Sequence, residues 1–259
     1  MHFVSIDAHQ SLARAVNADA PMLRWLDNDL RSTRQFWRVV YFHYPPYATG
    51  QNVNDPQSLW VRQYMVPILE NNGVQLVFSG HEHSYQRSVP IRKSSFVAPG
   101  LGTNYFTSGG GGAILYPVPD KPMVAFARSA HHYLRAEVEG TRITVRSIRH
   151  DGVELDSYTV APAPVLSDDS KLTPVTLTPG PVAGALIRII GRGLAAEETF
   201  SCTPALPTDM AGTVVTLNGN PIQLLYVSPT QIYGQLPFTL DGNVTVRVTT
   251  ANGFVERSI

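Results

Sequence analysis

The sequence predicts an α/β domain followed by a smaller all-β sandwich, and three observations support this. Residues 37–80 contain two short apolar runs on either side of a helical stretch, the pattern of a strand–helix–strand unit with parallel strands. After residue 173 no segment has a helical period, and short alternating apolar and polar runs follow one another. The 8 histidines all lie at or before residue 150, so the two regions also differ in their chemistry.

Strands and the first helix of the leading region have clear local signals. Residues 2–7, 37–42 and 74–80 are short apolar runs typical of buried strands. Residues 21–32 predict a helix, because Pro21 suits a first helical turn and the following leucines fall on one face.

A second helix is predicted over residues 55–73. Asp55 is the candidate cap at its start, and Gly73 is the expected C-terminal stop. Pro67 lies inside the segment, where its missing N–H predicts a kink.

The rest of the chain predicts β-structure in two separate parts. Residues 131–160 alternate in a β-meander that completes a first domain, residues 1–160. Residues 161–172 are rich in Pro, Ser and Asp and predict a linker. Residues 173–259 predict an immunoglobulin-like sandwich, with a strong hairpin signal at Asn218-Gly219.

Composition excludes several classes of protein. The 20 Lys and Arg balance the 20 Asp and Glu, so no basic surplus exists for general nucleic-acid binding. No apolar run reaches the length of a membrane span. Cys202 is the one cysteine, which excludes an intrachain disulfide framework. The low charged fraction of 15% is consistent with an extracytoplasmic or secreted protein.

Three histidines follow the two buried strands of the strand–helix–strand unit. His43 follows the first strand, and His81 and His83 follow the second. The carboxyl ends of parallel strands meet at one edge of a sheet, so these imidazoles would converge there as metal ligands. The alternative for each one is an ordinary polar loop residue.

At these histidines the sequence resembles a known family. VVYFHYPPY (39–47) and FSGHEHSYQR (78–87) are similar to the last two metal motifs of calcineurin-like metallophosphoesterases of the purple acid phosphatase type. The resemblance covers about residues 1–160 and implies an αββα sandwich with a dinuclear centre of iron with zinc, manganese or iron. It implies hydrolysis of phosphate monoesters, with His43 and His81 on one metal and His83 on the other; catalytic residues beyond these ligands are not assigned.

The chain also departs from the family pattern. It has no Gly-Asp pair, and its two Gly-Asn pairs lie in the second domain without a following histidine. We therefore expect a C-terminal part of a longer phosphatase, a fragment that binds at most one metal weakly. Two adjacent cations repel each other and need anionic ligands that three neutral imidazoles do not supply.

Two further segments have a functional and a structural interpretation. Arg87 could bind the anionic phosphate ester, and a structural ion pair is the alternative. The glycines of residues 108–112 lack the spacing of a phosphate-binding loop, so a flexible or close-packed turn beside the metal site is expected.

The second domain has its own resemblance. Three stretches within residues 186–253, most specifically residues 218–232, are similar to an Ig-like module found at the C-termini of acidobacterial extracellular proteins, which implies a bacterial secreted protein. Such a module could contact a surface, a polysaccharide or a partner domain. The leading hypothesis is thus a metal-dependent phosphomonoesterase, and the alternative is a non-catalytic phosphatase remnant with an adhesive module.

Overall fold

A computed structural model describes most of the chain as two compact units. The residues described are 1–8, 20–167, 173–174, 184–203, 205–237 and 244–258. The first unit comprises residues 1–138 and 142–160, and the second comprises residues 139–141 and 161–259.

A six-stranded sheet is the centre of the first unit. Its strands are β1 (His2–Ser5), β2 (Arg38–Tyr41), β3 (Leu76–Ser79), β4 (Tyr85–Ser88), β7 (Asn104–Ser108) and β8 (Val124–Arg128). Their order is β1-β2-β3-β7-β4-β8, in which β1, β2, β3 and β7 are parallel and β4 is antiparallel to both of its neighbours. The parallel pairing of β2 and β3 confirms the predicted strand–helix–strand unit.

Three helical segments accompany this sheet. Helix α1 (Pro21–Ser32) has the predicted bounds and buries the three leucines of its apolar face. The second predicted helix is interrupted: α2 (Pro56–Trp60) and α3 (Val66–Asn71) flank a π-helical turn at Val61–Met65. The turn precedes Pro67, where the missing N–H removes a helical hydrogen bond, so the predicted distortion takes the form of one wider turn.

Both faces of the central parallel strands β2 and β3 are largely buried. On β2, Val40 packs against side chains of the helices, whereas Val39 packs on the opposite face of the sheet against side chains of other strands. Val77 and Leu76 divide in the same way on β3. Burial on both faces explains why these strands are continuous apolar runs in the sequence.

The opposite face is covered by a second, three-stranded sheet. Its strands are β9 (His132–Glu139), β10 (Arg142–Arg149) and β11 (Glu154–Val160), in the order β11-β10-β9. Ile143, Val145 and Val160 of this sheet pack with the apolar face of the first sheet. A short hairpin of β5 (Ile91–Arg92) and β6 (Ser95–Phe96) completes the unit.

The second unit is an all-β sandwich. One sheet has the order β12-β14-β20-β19-β15 with β13 beside β14, and the other has the order β16-β17-β21-β22 with β18 beside β17. These strands are β12 (Val165–Leu166), β13 (Thr173–Pro174), β14 (Leu186–Arg192), β15 (Thr199–Phe200), β16 (Asp209–Met210), β17 (Thr213–Leu217), β18 (Asn220–Pro221), β19 (Gln223–Val227), β20 (Gln231–Gln235), β21 (Thr245–Thr250) and β22 (Gly253–Ser258). Side chains of both sheets share one apolar core, to which Ile187, Val215 and Val246 belong.

Two sequence predictions in this unit can be compared with the structure. The Asn218-Gly219 hairpin is confirmed, since both residues have positive φ between the paired strands β17 and β18. The linker prediction is wrong in part, because Val165–Leu166 pair with β14 rather than forming free chain. Residues 168–172 of that segment lie outside the described residues.

No helix within the described residues is both long enough and apolar enough to cross a membrane.

Candidate metal centre

The candidate site lies at the carboxyl ends of β2 and β3. The parallel pairing continues beyond both strands, because the Phe42 N–H donates to the Phe78 carbonyl (3.1 Å) and the Gly80 N–H donates to the His43 carbonyl (3.0 Å). The two loops therefore leave the sheet side by side. These hydrogen bonds hold the backbone of His43 beside the loop that contains His81.

His43 and His81 meet with a spacing that suits a shared metal ion. The His43 Nε2 atom lies 3.1 Å from the His81 Nδ1 atom, and the rings cross at 68°. Two imidazole nitrogens bound to one zinc ion at tetrahedral or right angles lie about 2.9–3.4 Å apart. The observed separation thus matches one edge of a coordination polyhedron.

The backbone turn that aims His81 has an unexpected position. The positive φ of 66° is at His81 itself and not at the preceding Gly80. A side chain in this left-handed region costs about 1–2 kcal/mol. The surrounding contacts of the loop must offset this strain.

Glu82 supplies one of those contacts from inside the protein. Its side chain is fully buried, and its Oε1 atom accepts a hydrogen bond from the Asn52 N–H at 2.5 Å. Burial raises the pKa of the Glu82 carboxyl above its usual value. Gly50 faces this carboxylate so closely that a Cβ atom there would collide with it. Glu82 therefore ties the loop after β2 to the loop after β3.

Asp55 is a site residue that the sequence analysis identified only as a helix cap. Its Oδ2 atom lies 2.7 Å from the Nε2 atom of His81. The connecting helix of a strand–helix–strand unit starts at the carboxyl edge of the first strand, so its first residues lie at the same sheet edge as the histidines. That topological rule could have placed Asp55 at the site from sequence.

His83 has a different set of partners. Its Nδ1 atom lies 2.8 Å from the Ile114 carbonyl oxygen, and its ring stacks on Tyr116 with centroids 4.2 Å apart. A carbonyl only accepts hydrogen bonds, so the Nδ1 atom carries a proton, and in the neutral ring the lone pair lies on Nε2.

The comparisons with known proteins identify both units. Residues 3–85 match the family model described as calcineurin-like phosphoesterase, and residues 170–258 match that of the IPT/TIG domain. The chain carries a calcineurin-like phosphoesterase domain followed by an IPT/TIG domain. The two resemblances stated from the motifs are confirmed, the second as an Ig-like fold.

Relatives of the phosphoesterase domain share only part of their length with this chain. An uncharacterized protein of Mycobacterium tuberculosis (strain H37Rv) is 31% identical over 121 residues, 37% of this chain and 23% of that protein. Purple acid phosphatase 21 of Arabidopsis thaliana is 30% identical over 122 residues, 44% of this chain and 27% of that protein. The matched stretch is thus about a quarter of each relative.

A solved structure supports the fold of the same region. The purple acid phosphatase from yellow lupin (Lupinus luteus) seeds superposes with a TM-score of 0.51 and 17% identity. The match covers 56% of this chain and 28% of the lupin chain. The α/β fold class predicted for the first domain is therefore confirmed.

The phosphoesterase domain brings the predicted histidines together only in part. His43 and His81 touch, while His83 is held by Ile114 and Tyr116. Within the ranges that the structure describes, no three His, Cys, Asp or Glu side chains are arranged to hold a metal ion. The assignment of all three histidines as ligands stays a prediction.

Arg87 of the phosphoesterase domain forms an ion pair. Its guanidinium donates to both carboxylate oxygens of Asp156, at 2.7 and 3.1 Å, and lies 4.3 Å from the centre of the Tyr158 ring. The Tyr85 hydroxyl donates to the same carboxylate at 2.7 Å. These contacts correspond to the structural alternative for Arg87.

The glycine-rich segment divides into a packed and an open half. A Cβ atom at Gly109 would collide with the backbone of Glu82, and one at Gly110 would collide with the His132 side chain and the Ala130 carbonyl. Gly111 faces open space. The packed half therefore permits a close approach to the histidine loop.

Proposed function

We propose that the phosphoesterase domain contributes His43, His81 and His83 to the metal centre of a purple acid phosphatase-like phosphomonoesterase. The observation that carries this proposal is the 3.1 Å separation of His43 Nε2 and His81 Nδ1 beyond two parallel strands. The partial identity to plant purple acid phosphatases supports the choice of reaction.

Two of the three histidines have the spacing of ligands to one metal ion, which supports a single metal position. His43 and His81 would hold it through the facing nitrogens, and His83 Nε2 would serve the second position of a centre of iron with zinc, manganese or iron. When bound, such ions polarise the phosphoryl group and lower the pKa of water. In the metal-free protein, one hydrogen bond joins the facing nitrogens of His43 and His81. The proton of a neutral His43 would have to move to its Nδ1 atom before both facing nitrogens could donate lone pairs to a metal ion.

The charge of these ligands limits what the chain binds alone. All three are neutral imidazoles when they act as ligands, and the family's Gly-Asp motif does not occur in the sequence. The carboxylates of Asp55 and Glu82 are engaged with His81 and Asn52. We therefore infer that this chain binds at most one metal ion, weakly.

Zinc titration and a phosphatase assay test the proposal. We expect calorimetry with zinc chloride to show one weak site, whose affinity falls at least tenfold in His43→Ala and in His81→Ala. His150→Ala is the matched control, because His150 is exposed and lies outside the site. Hydrolysis of p-nitrophenyl phosphate that requires metal and both histidines supports the hydrolase. A protein that binds no zinc refutes the proposal.

The alternative function is a non-catalytic phosphatase remnant that acts through its IPT/TIG domain. The absence of a three-ligand cluster in the described residues favours it. In either case we infer an extracytoplasmic protein whose second unit contacts a surface or a polysaccharide. Phe200 and Phe254 are 70% and 56% exposed and offer aromatic contacts for such a ligand. Zinc binding without hydrolysis, together with Phe200-dependent sedimentation on insoluble polysaccharide, supports this alternative.

A further inference from the structure

We propose that Asp55 is a positioning residue that holds the His81 ring with Nδ1 directed at the metal position. This inference rests on the proposed function. Its basis is the hydrogen bond between Asp55 Oδ2 and His81 Nε2 (2.7 Å) together with the contact between His81 Nδ1 and His43.

The chemistry of the two groups fixes the tautomer of His81. An ionised carboxylate only accepts hydrogen bonds, so the proton of the neutral ring lies on Nε2. Nδ1 is then left with a lone pair that faces His43 Nε2. Carboxylates that orient a metal-binding histidine in this way also make it a better ligand.

The geometry separates this role from that of a direct ligand. Nδ1 and Nε2 lie on different sides of the imidazole ring, and the Asp55 carboxylate contacts the side away from His43. Asp55 would therefore act on the metal only through His81.

A second observation concerns the helix that Asp55 begins. Asp55 occupies the N-cap position of α2, where an aspartate usually accepts hydrogen bonds from the first turn of the helix. Here its side chain makes no capping hydrogen bond, while its backbone carbonyl accepts the Leu59 N–H at 3.0 Å. The backbone carbonyl of Asp55 therefore accepts a hydrogen bond from the helix, whereas its carboxylate is hydrogen-bonded to His81.

The contact is partly open to solvent, which determines the kind of effect to expect. The side chains of His81 and Asp55 are 21% and 37% exposed, so water screens their electrostatic attraction. The contribution of Asp55 is therefore mainly directional. Removing the Asp55 carboxylate should therefore change the metal affinity and the environment of the His81 ring proton more than the free energy of unfolding.

The test compares Asp55→Ala, Asp55→Glu and the wild type, with Asp120→Ala as control. Asp120 is an exposed aspartate of the same unit. Calorimetry with zinc chloride should show about 10–100-fold weaker binding in Asp55→Ala, with most of the affinity restored in Asp55→Glu and none lost in the control. Near-UV circular dichroism checks that each variant is folded, and Asp55→Ala removes no capping bond.

Proton NMR of the metal-free protein gives a second readout that needs no activity. The Nε2 proton of His81, assigned by its loss in His81→Asn, should be protected from exchange in the wild type and in Asp55→Glu. It should be absent in Asp55→Ala. Unchanged zinc affinity and an unchanged ring proton in Asp55→Ala overturn the inference while the proposed function stands. A wild type that binds no zinc overturns the proposed function, and the ring proton then still decides whether Asp55 holds His81.

Discussion

The contact between Arg87 and Asp156 predicts a large loss of stability when one partner is removed. The side chains of the pair are 12% and 9% exposed, and the carboxylate also accepts the Tyr85 hydroxyl. Asp156→Ala leaves the guanidinium buried without its counter-charge. Breaking a buried pair from one side costs about 3–5 kcal/mol.

This free energy corresponds to a clear change in melting temperature. In a domain the size of the first unit, each kcal/mol lowers Tm by about 2–4 °C. We therefore expect Asp156→Ala to lower the Tm of this unit by about 6–20 °C. Replacing both partners with apolar residues should cost less than the sum of the two single changes, since no charge remains buried.

Tryptophan fluorescence isolates this transition. The 3 tryptophans, Trp25, Trp37 and Trp60, all lie in the first unit, so a fluorescence melt reports on that unit alone. Asp151→Ala is the control, because Asp151 lies in the turn between β10 and β11 and pairs with Arg149 in an exposed position, so little change is expected.

A small effect would refute this reasoning. If Asp156→Ala melts within about 1 °C of the wild type, the ion pair does not carry the stability that its burial implies. If stability is also unchanged in Arg87→Met but affinity for inorganic phosphate falls, Arg87 binds substrate.

Three further predictions concern packing, pH and a turn. Leu26 is fully buried in α1, so Leu26→Ala should lower the free energy of unfolding in urea by about 2–5 kcal/mol; a loss below about 1 kcal/mol would contradict this. Burial lowers the pKa of His132 in the folded protein below its value in the unfolded chain. The neutral His132 side chain therefore contributes to stability at neutral pH, and this contribution is lost as the pH falls through the folded-state pKa. Fluorescence-detected Tm should therefore decline on acidification, and less steeply in His132→Asn. Gly219 has a φ of 83°, and calorimetry of Gly219→Ala should show the second unit destabilised by about 1–2 kcal/mol with the first unit unaffected.

The elements that could be predicted from sequence are those with strong local signals. Helix α1 has the predicted bounds because Pro21, the apolar face of leucines and the end of the helical apolar pattern all indicate the same segment. The π-helical turn at Val61–Met65 could not be predicted, since Pro67 demands a distortion without specifying its form. Strand β20 has a weak local signal because Gly234 interrupts it. A Cβ atom at Gly234 would lie 2.8 Å from the Ile222 Cδ1 atom, so the glycine meets a tertiary contact that the local sequence does not show.

The same distinction applies to the candidate site, where the positions of strand ends follow from the sequence and the directions of side chains do not. The adjacency of His43 and His81 follows from two successive parallel strands, a relation that the sequence pattern contains. The direction of the Asp55 carboxylate depends on whether a helix N–H or an imidazole is closer, which only the folded chain decides. The partner of Arg87 is contributed by β11 of the second sheet, far along the chain.

The carboxylate of Glu82 has a consequence for how this protein can vary. Its side chain occupies the space that a Cβ atom at position 50 would need. A larger residue at position 50 would therefore need a shorter one at position 82, and the φ of 133° at Gly50 would strain it as well. An exchange at position 50 alone should push the Glu82 side chain aside and with it the imidazoles of the two residues that flank Glu82.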